Sequence, residues 1–256
     1  MDPGGVKEAG TPTVGAPRLN GDMATLMLLI LLAPDAEAEK VPEVARLLGE
    51  DDTAGALEVL REVGAMAGNH AEAKALVKLV RDPKLDVDER PEVLEACFVA
   101  LKGIGSREIT RDLKALLRHS RLKKITGVRV GVCRALEGSA DPGGIETLLD
   151  LLRDTEDEVV AAASEAASAH RYAKESQRKE LFEKIMDIYV GTWNLKNAVN
   201  PDLKVEKRRA ERKWEVVEKS MERALQLLSN TTQNDPPAWR HWWNKNKNKR
   251  WGELER

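Results

Sequence analysis

The middle of the chain repeats itself with a period of about 35 residues, and this constrains its fold more than any other feature. The nine residues from Val93 to Leu101 align with those from Val128 to Leu136 at an offset of 35. The same offset carries Leu116-Leu117-Arg118 onto Leu151-Leu152-Arg153, and Leu79-Val80-Arg81 precedes the former by 37. Each period holds a short amphipathic stretch, as in 145–153, and a longer Ala/Val-rich one, as in 156–169. Both read as helices, because the chain abounds in Ala, Leu, Glu, Lys and Arg while Phe, Trp and Tyr reach only 4%.

A single helical hairpin cannot bury both of its faces, whereas a stack of hairpins can. Ala96, Ala100, Gly131, Ala135, Ala162, Ala163, Ala166 and Ala167 are small enough to let stacked helices approach closely. Punctuation falls where one hairpin hands over to the next, at 103–106 and 138–142. There Gly103, Gly105 and Gly138 are expected to stop helices, and Ser106 and Asp141 to start them.

These segments resemble the HEAT repeats in their short bacterial form. The likeness is carried by Ala100-Leu101-Lys102-Gly103-Ile104-Gly105, by Ala135-Leu136-Glu137-Gly138 with Asp141-Pro142, and by Leu151-Leu152-Arg153-Asp154 followed by Asp157-Glu158-Val159. It covers roughly 41–170, with a divergent first pair at 41–50 and 53–68. The pattern continues with Arg after its Val. Arg129 fits it, while Leu94 and Val160 depart from it, so a ladder of Asp–Arg pairs between repeats is expected to be incomplete. The resemblance implies an all-α, right-handed α-solenoid whose second helices line a groove.

The two ends are different material. Residues 1–22 are rich in Gly and Pro and read as disordered. The apolar run from Leu26 to Leu32 is too short for a bilayer, which needs about 20 residues. Pro34 follows, then Ala36-Glu37-Ala38, the small-x-small form of a signal-peptidase site. Two readings stand: an export signal, with the mature chain beginning near Glu39 and no membrane span left after cleavage, or an apolar first helix packed on the repeats. The first makes the protein periplasmic or secreted, the second cytoplasmic. At the other end the period fails after Tyr172. Leu181, Ile185, Ile188, Thr192 and Leu195 form one helical stripe, and Leu203, Ala210, Trp214, Val217, Met221, Ala224 and Leu228 form a heptad-like seam. An antiparallel hairpin fits both; a coiled-coil dimer competes. Asp235-Pro236-Pro237 then starts a short helix bearing Trp239, Trp242 and Trp243. With Gln233 and the basic stretch after it, this tail is similar to those of bacterial HEAT-like secreted proteins. The expected divisions are 1–38, 39–172 and 173–256.

Chemistry is sparse. His70, His119, His170 and His241 lack metal-ligand spacing and read as surface or loop residues, and no His-Glu dipeptide, which a di-iron HEAT-type hydroxylase family repeats, occurs. Cys97 and Cys133 read as buried apolar residues, and no phosphate-loop, dinucleotide or serine-hydrolase motif is present. No catalytic, cofactor or metal residues are assigned, and no cofactor is expected. The formal net charge of −2 conceals a split, since residues 201–256 carry 14 basic and 9 acidic groups and leave −7 for 1–200. Arg129, Arg240, Lys245, Lys247, Lys249 and Arg250 are the candidate partner or polyanion contacts; Trp214, Trp239, Trp242, Trp243 and Trp251 are the candidate structural cap, covering the open end of the array. The expected function is a non-catalytic, monomeric scaffold that takes a protein or peptide partner on its groove. Nucleic-acid or polyanion binding by the basic Trp-rich tail is the alternative, disfavoured because the tryptophans can instead seal the end of the array, and an enzyme of a HEAT-like family is third.

Overall fold

The computed structural model describes residues 38–84, 86 and 90–251. Among them are eleven α-helices and no strand. In chain order they are α1 (Val41–Gly49), α2 (Thr53–Gly64), α3 (His70–Arg81), α4 (Pro91–Ile104), α5 (Thr110–Arg118), α6 (Thr126–Ser139), α7 (Ile145–Leu151), α8 (Asp157–Ser168), α9 (Glu175–Lys196), α10 (Lys204–Ser229) and α11 (Pro236–Asn246). Consecutive helices pair, α1 with α2 through α9 with α10. The even-numbered helices from α2 to α10 lie side by side in one layer, each touching the next. In the other layer α1 touches α3, α3 touches α5, and α7 touches α9. The result is an all-α solenoid of five hairpins, with α11 laid on α9. The expected leader, including the Leu26 to Leu32 run and Ala36-Glu37, lies outside the described residues.

Local chemistry explains the start of five of the helices. Asp52, Asn69 and Asp235 each accept a hydrogen bond from a first-turn amide of α2, α3 and α11, and proline occupies the first turn of α1, α4 and α11. Gly105 ends α4 in the left-handed conformation at φ 64°. Three expectations differ from what is found. Gly103 does not stop α4, which runs on to Ile104. Ser106 does not start the next helix, which begins at Thr110 with no side-chain cap. Gly138 does not stop α6 either; the chain continues to Ser139 and turns at Ala140, φ 45°.

Gly138 serves packing instead. A Cβ there would lie 2.1 Å from the Lys102 carbonyl oxygen, and one on Gly103 would lie 2.2 Å from the Gly64 oxygen. The C-terminal ends of α2, α4 and α6 therefore meet backbone to backbone, at positions 35 residues apart in the latter two. Gly131 makes room in the same way for the Phe98 ring, which would sit 2.1 Å from its Cβ. Phe98 is fully buried as a result, a burial worth about 2–3 kcal/mol.

The C-terminal hairpin continues the array. α10 lies on α8 as well as on α9, so its seam of Ala210, Trp214, Val217, Met221, Ala224 and Leu228 is buried within the chain. α9 is covered from two sides, by α10 and α11, and buries Leu181, Phe182, Ile185, Met186, Tyr189 and Val190. One stripe of apolar residues was too narrow a reading: Phe182, Met186, Tyr189 and Val190 are buried outside it, while its last member, Leu195, is 41% exposed.

Candidate functional site

The layer of second helices carries a shallow groove in two adjoining parts. The first, about 510 Å³, lies between α4 and α6 over Leu94, Phe98, Ile125 and Val130. The second, about 430 Å³, runs between α6, α8 and α10 over Val130, Ala161, Ala162 and Val216. Val130 and Arg134 border both. The apolar floor exists because one side of each second helix bears small or aliphatic residues where a charged one could stand. Val99, on α4, adds a 53% exposed aliphatic side chain to the same helix.

Charged groups edge this floor, and most are engaged with the neighbouring helix. Arg134 on α6 meets Glu95 on α4 at 2.8 Å, Lys102 meets Glu137 at 2.8 Å, and Arg223 on α10 approaches Glu165 on α8 at 3.9 Å. These pairs are largely exposed and contribute at most about 1 kcal/mol each. Glu158 faces both clefts with no ion pair among the described residues. The groove thus offers apolar contact along its floor and exchangeable ion pairs along its edge.

The candidate contact Arg129 is not in this groove. Its guanidinium sits 2.8 Å from the Asp154 carboxylate, both only 15% and 13% exposed, and also donates to the Lys123 carbonyl oxygen at 3.0 Å. It joins α6 to the turn before α8. Leu94 and Val160, where the repeat pattern would place arginine, are buried. Arg90 plays a related part upstream, pairing with Asp51 and donating to the Leu48 carbonyl oxygen at 2.9 Å at the end of α1.

At the C-terminal end the rings of Trp239, Trp242, Trp243 and Trp251 surround Phe182 of α9, with centroids 5.3–5.8 Å away. Trp239, Trp243 and Trp251 are buried and Trp242 is half-buried. Trp214 belongs elsewhere, stacked on Tyr189 at 4.9 Å with the Lys196 ammonium 4.8 Å above its ring. Of the tail cations, Arg240 pairs with Asp187 of α9 at 2.7 Å, and Lys249 donates to Asn246 Oδ1 at 3.2 Å. Lys245, Lys247 and Arg250 are exposed and form no ion pair among the described residues. The backbone N–H of Trp251 donates to Glu175 at 3.1 Å, which fastens the end of the tail to the start of α9.

Nucleophilic and metal-binding chemistry is poorly served. Cys97 and Cys133 are fully buried, and burial pushes the Cys97 thiol up to about 12 and the Cys133 thiol higher still. His70 lies 3.8 Å from Glu108 at the surface. His170, read from sequence as a surface or loop residue, is instead buried in the turn after α8, where α6, α9 and α10 close over it. No group of three or more His, Cys, Asp or Glu is placed to hold a metal ion among the described residues. No described helix is long and apolar enough to cross a membrane.

The repeat geometry agrees with an independent comparison. A family model described as HEAT repeats matches residues 83–169, which span α4 to α8. This part of the chain carries HEAT repeats. The match covers about a third of its length, so α1 to α3 and the hairpin with its Trp-rich end lie outside it. No curated protein and no solved structure matched the chain. The groove residues, among them Val130, Ala162 and Val216, were missed in the sequence. The signal was available in α6, where Val130, Arg134 and Glu137 fall at i, i+4 and i+7, on one side of a helix whose other side is the core.

Proposed function

We propose that the chain is a non-catalytic scaffold that binds a protein or peptide segment along the face of α4, α6, α8 and α10. The observation that carries this reading is the pair of adjoining clefts, with an apolar floor and an edge of exchangeable ion pairs. Binding energy comes from the apolar centre of such a surface, and the charged edge sets orientation. HEAT repeats commonly serve as protein-interaction scaffolds, which supports the reading by analogy of fold. Neither Cys97 nor Cys133 suits a nucleophile, since burial disfavours the thiolate that one needs.

Peptides selected from a display library on the intact protein test it. Ala162→Arg fills the second cleft with a cation at a half-buried position, and selected peptides should lose at least about tenfold in affinity, or 1.4 kcal/mol. Arg240→Ala, at the Trp-rich end, should leave them unchanged. Circular dichroism checks that both variants keep their helices. Peptides that ignore Ala162→Arg and respond to Arg240→Ala would move the binding surface to the tail.

A further inference from the structure

Glu72, on α3, is a carboxylate only 1% exposed. Its Oε1 accepts from the backbone N–H groups of Glu39 and Lys40, both at 2.8 Å, and its Oε2 accepts from that of Val41 at 3.0 Å. Three consecutive amides converge on one side chain more than thirty residues away. This is the pattern of an acceptor-only, ionised carboxylate. Part of it is helix capping, since Lys40 at the head of α1 makes no side-chain cap of its own. Capping alone does not explain the rest. Asp52, Asn69 and Asp235 cap their helices locally, each binding one amide, Asp52 and Asp235 from exposed positions and Asn69 from a half-buried one. Glu72 reaches one residue further out, to the nitrogen of Glu39, and is buried with no ion-pair partner among the described residues. The Lys40 ammonium beside it is engaged by Glu62.

The missing positive charge lies one peptide bond away. Ala38 and Glu39 flank the junction at which the sequence independently places a leader cleavage, after Ala36-Glu37-Ala38. We infer that the Ala38–Glu39 bond is a processing site and that Glu72 receives the α-ammonium group created there. In the cut, water adds to the Ala38 carbonyl carbon and the C–N bond breaks. The hydroxyl stays on Ala38, one water proton goes to the Glu39 nitrogen, and the acid's own proton completes the ammonium, leaving an Ala38 carboxylate on the released leader. A leader peptidase of the exporting cell supplies the catalysis. The ammonium then occupies the place of the Glu39 amide, 2.8 Å from Oε1, and an ordinary hydrogen bond becomes a charge-assisted one, roughly twice as strong. The N-terminal end of α1 disfavours a cation, so the carboxylate has to lie between them, as it does.

Two measurements decide this. Mass spectrometry of the protein purified from its own cells should find Glu39 as the first residue; any other first residue overturns the processing site. The 39–256 chain, which contains every described helix, is then prepared with a free and with an acetylated N-terminus. The free form should melt about 2–4 °C higher at pH 7. Pairing raises the folded-state pKa of the amine above its ordinary value of about 7.7–8.0. The advantage is therefore complete below that value and disappears as pH rises through the raised one. Equal melting of the two forms at pH 7 overturns the capture. Glu72→Gln should abolish the difference, and the comparison within the unsubstituted chain stands even if that variant folds poorly.

Discussion

His170 shows how a single residue can be placed where its type predicts it should not be. It is 2% exposed, and neither ring nitrogen has a hydrogen-bond partner among the described residues. Burial lowers its pKa from 6.5, with the negative charge of Asp141 acting in the opposite sense. Between the lowered value and about 6.5 the unfolded chain binds the proton and the folded one does not. Stability is therefore complete above pH 6.5 and falls as pH drops below it. Urea midpoints at pH 7.5 and 5.5 should show this loss, and His170→Leu should remove most of it. An equal loss in both proteins would place the pH sensitivity elsewhere. Nothing near His170 in the sequence announces its burial, because the turn after α8 is closed by helices from three other parts of the chain.

At the scale of elements, helix approach is decided by glycines that are interchangeable in sequence and unlike in place. Gly138 and Gly191 both lie inside helices. A Cβ on Gly138 would meet the Lys102 carbonyl oxygen at 2.1 Å, whereas nothing lies within 4 Å of one on Gly191. Gly138→Ala should cost about 1–3 kcal/mol, since backbone of α4 would have to move. Gly191→Ala should stabilise by about 0.5–1 kcal/mol through helix propensity. Denaturant unfolding of the two variants checks both signs, and two shifts of the same sign would refute the backbone-contact argument. The 35-residue offset from Gly103 to Gly138 was legible in the sequence as punctuation. Its purpose was not, because a helix stop and a close contact both select glycine.

For the whole molecule, a stack of hairpins holds each unit only by its neighbours, so the exposed core at an end must be covered. α11 and Trp251 cover α9 at the C-terminal end through the cluster around Phe182. Trp239→Ala removes a fully buried indole from it and should cost about 3–5 kcal/mol. The loss should be local first. Amide hydrogen exchange should show α9 to α11 losing protection well before α4 to α6, and a uniform loss along the array would mean that the cluster is no separate end-piece.

The repeat period, the helical hairpins, the helix start at Asp235 and the gathering of tryptophans at one end were all determined by the sequence itself, because each is local: spacing, capping and composition act within a few residues. Which faces of those helices meet was decided only in three dimensions. Arg129 was brought to Asp154, and Val130 and Ala162 to the floor of one groove. Residues 33 positions apart, Glu39 and Glu72, were brought to a hydrogen bond. Such pairings depend on how far one hairpin is shifted on the next, and backbone contacts like those at Gly103 and Gly138 set that shift. The period repeats the helices; packing at those contacts assigns each side chain its neighbour.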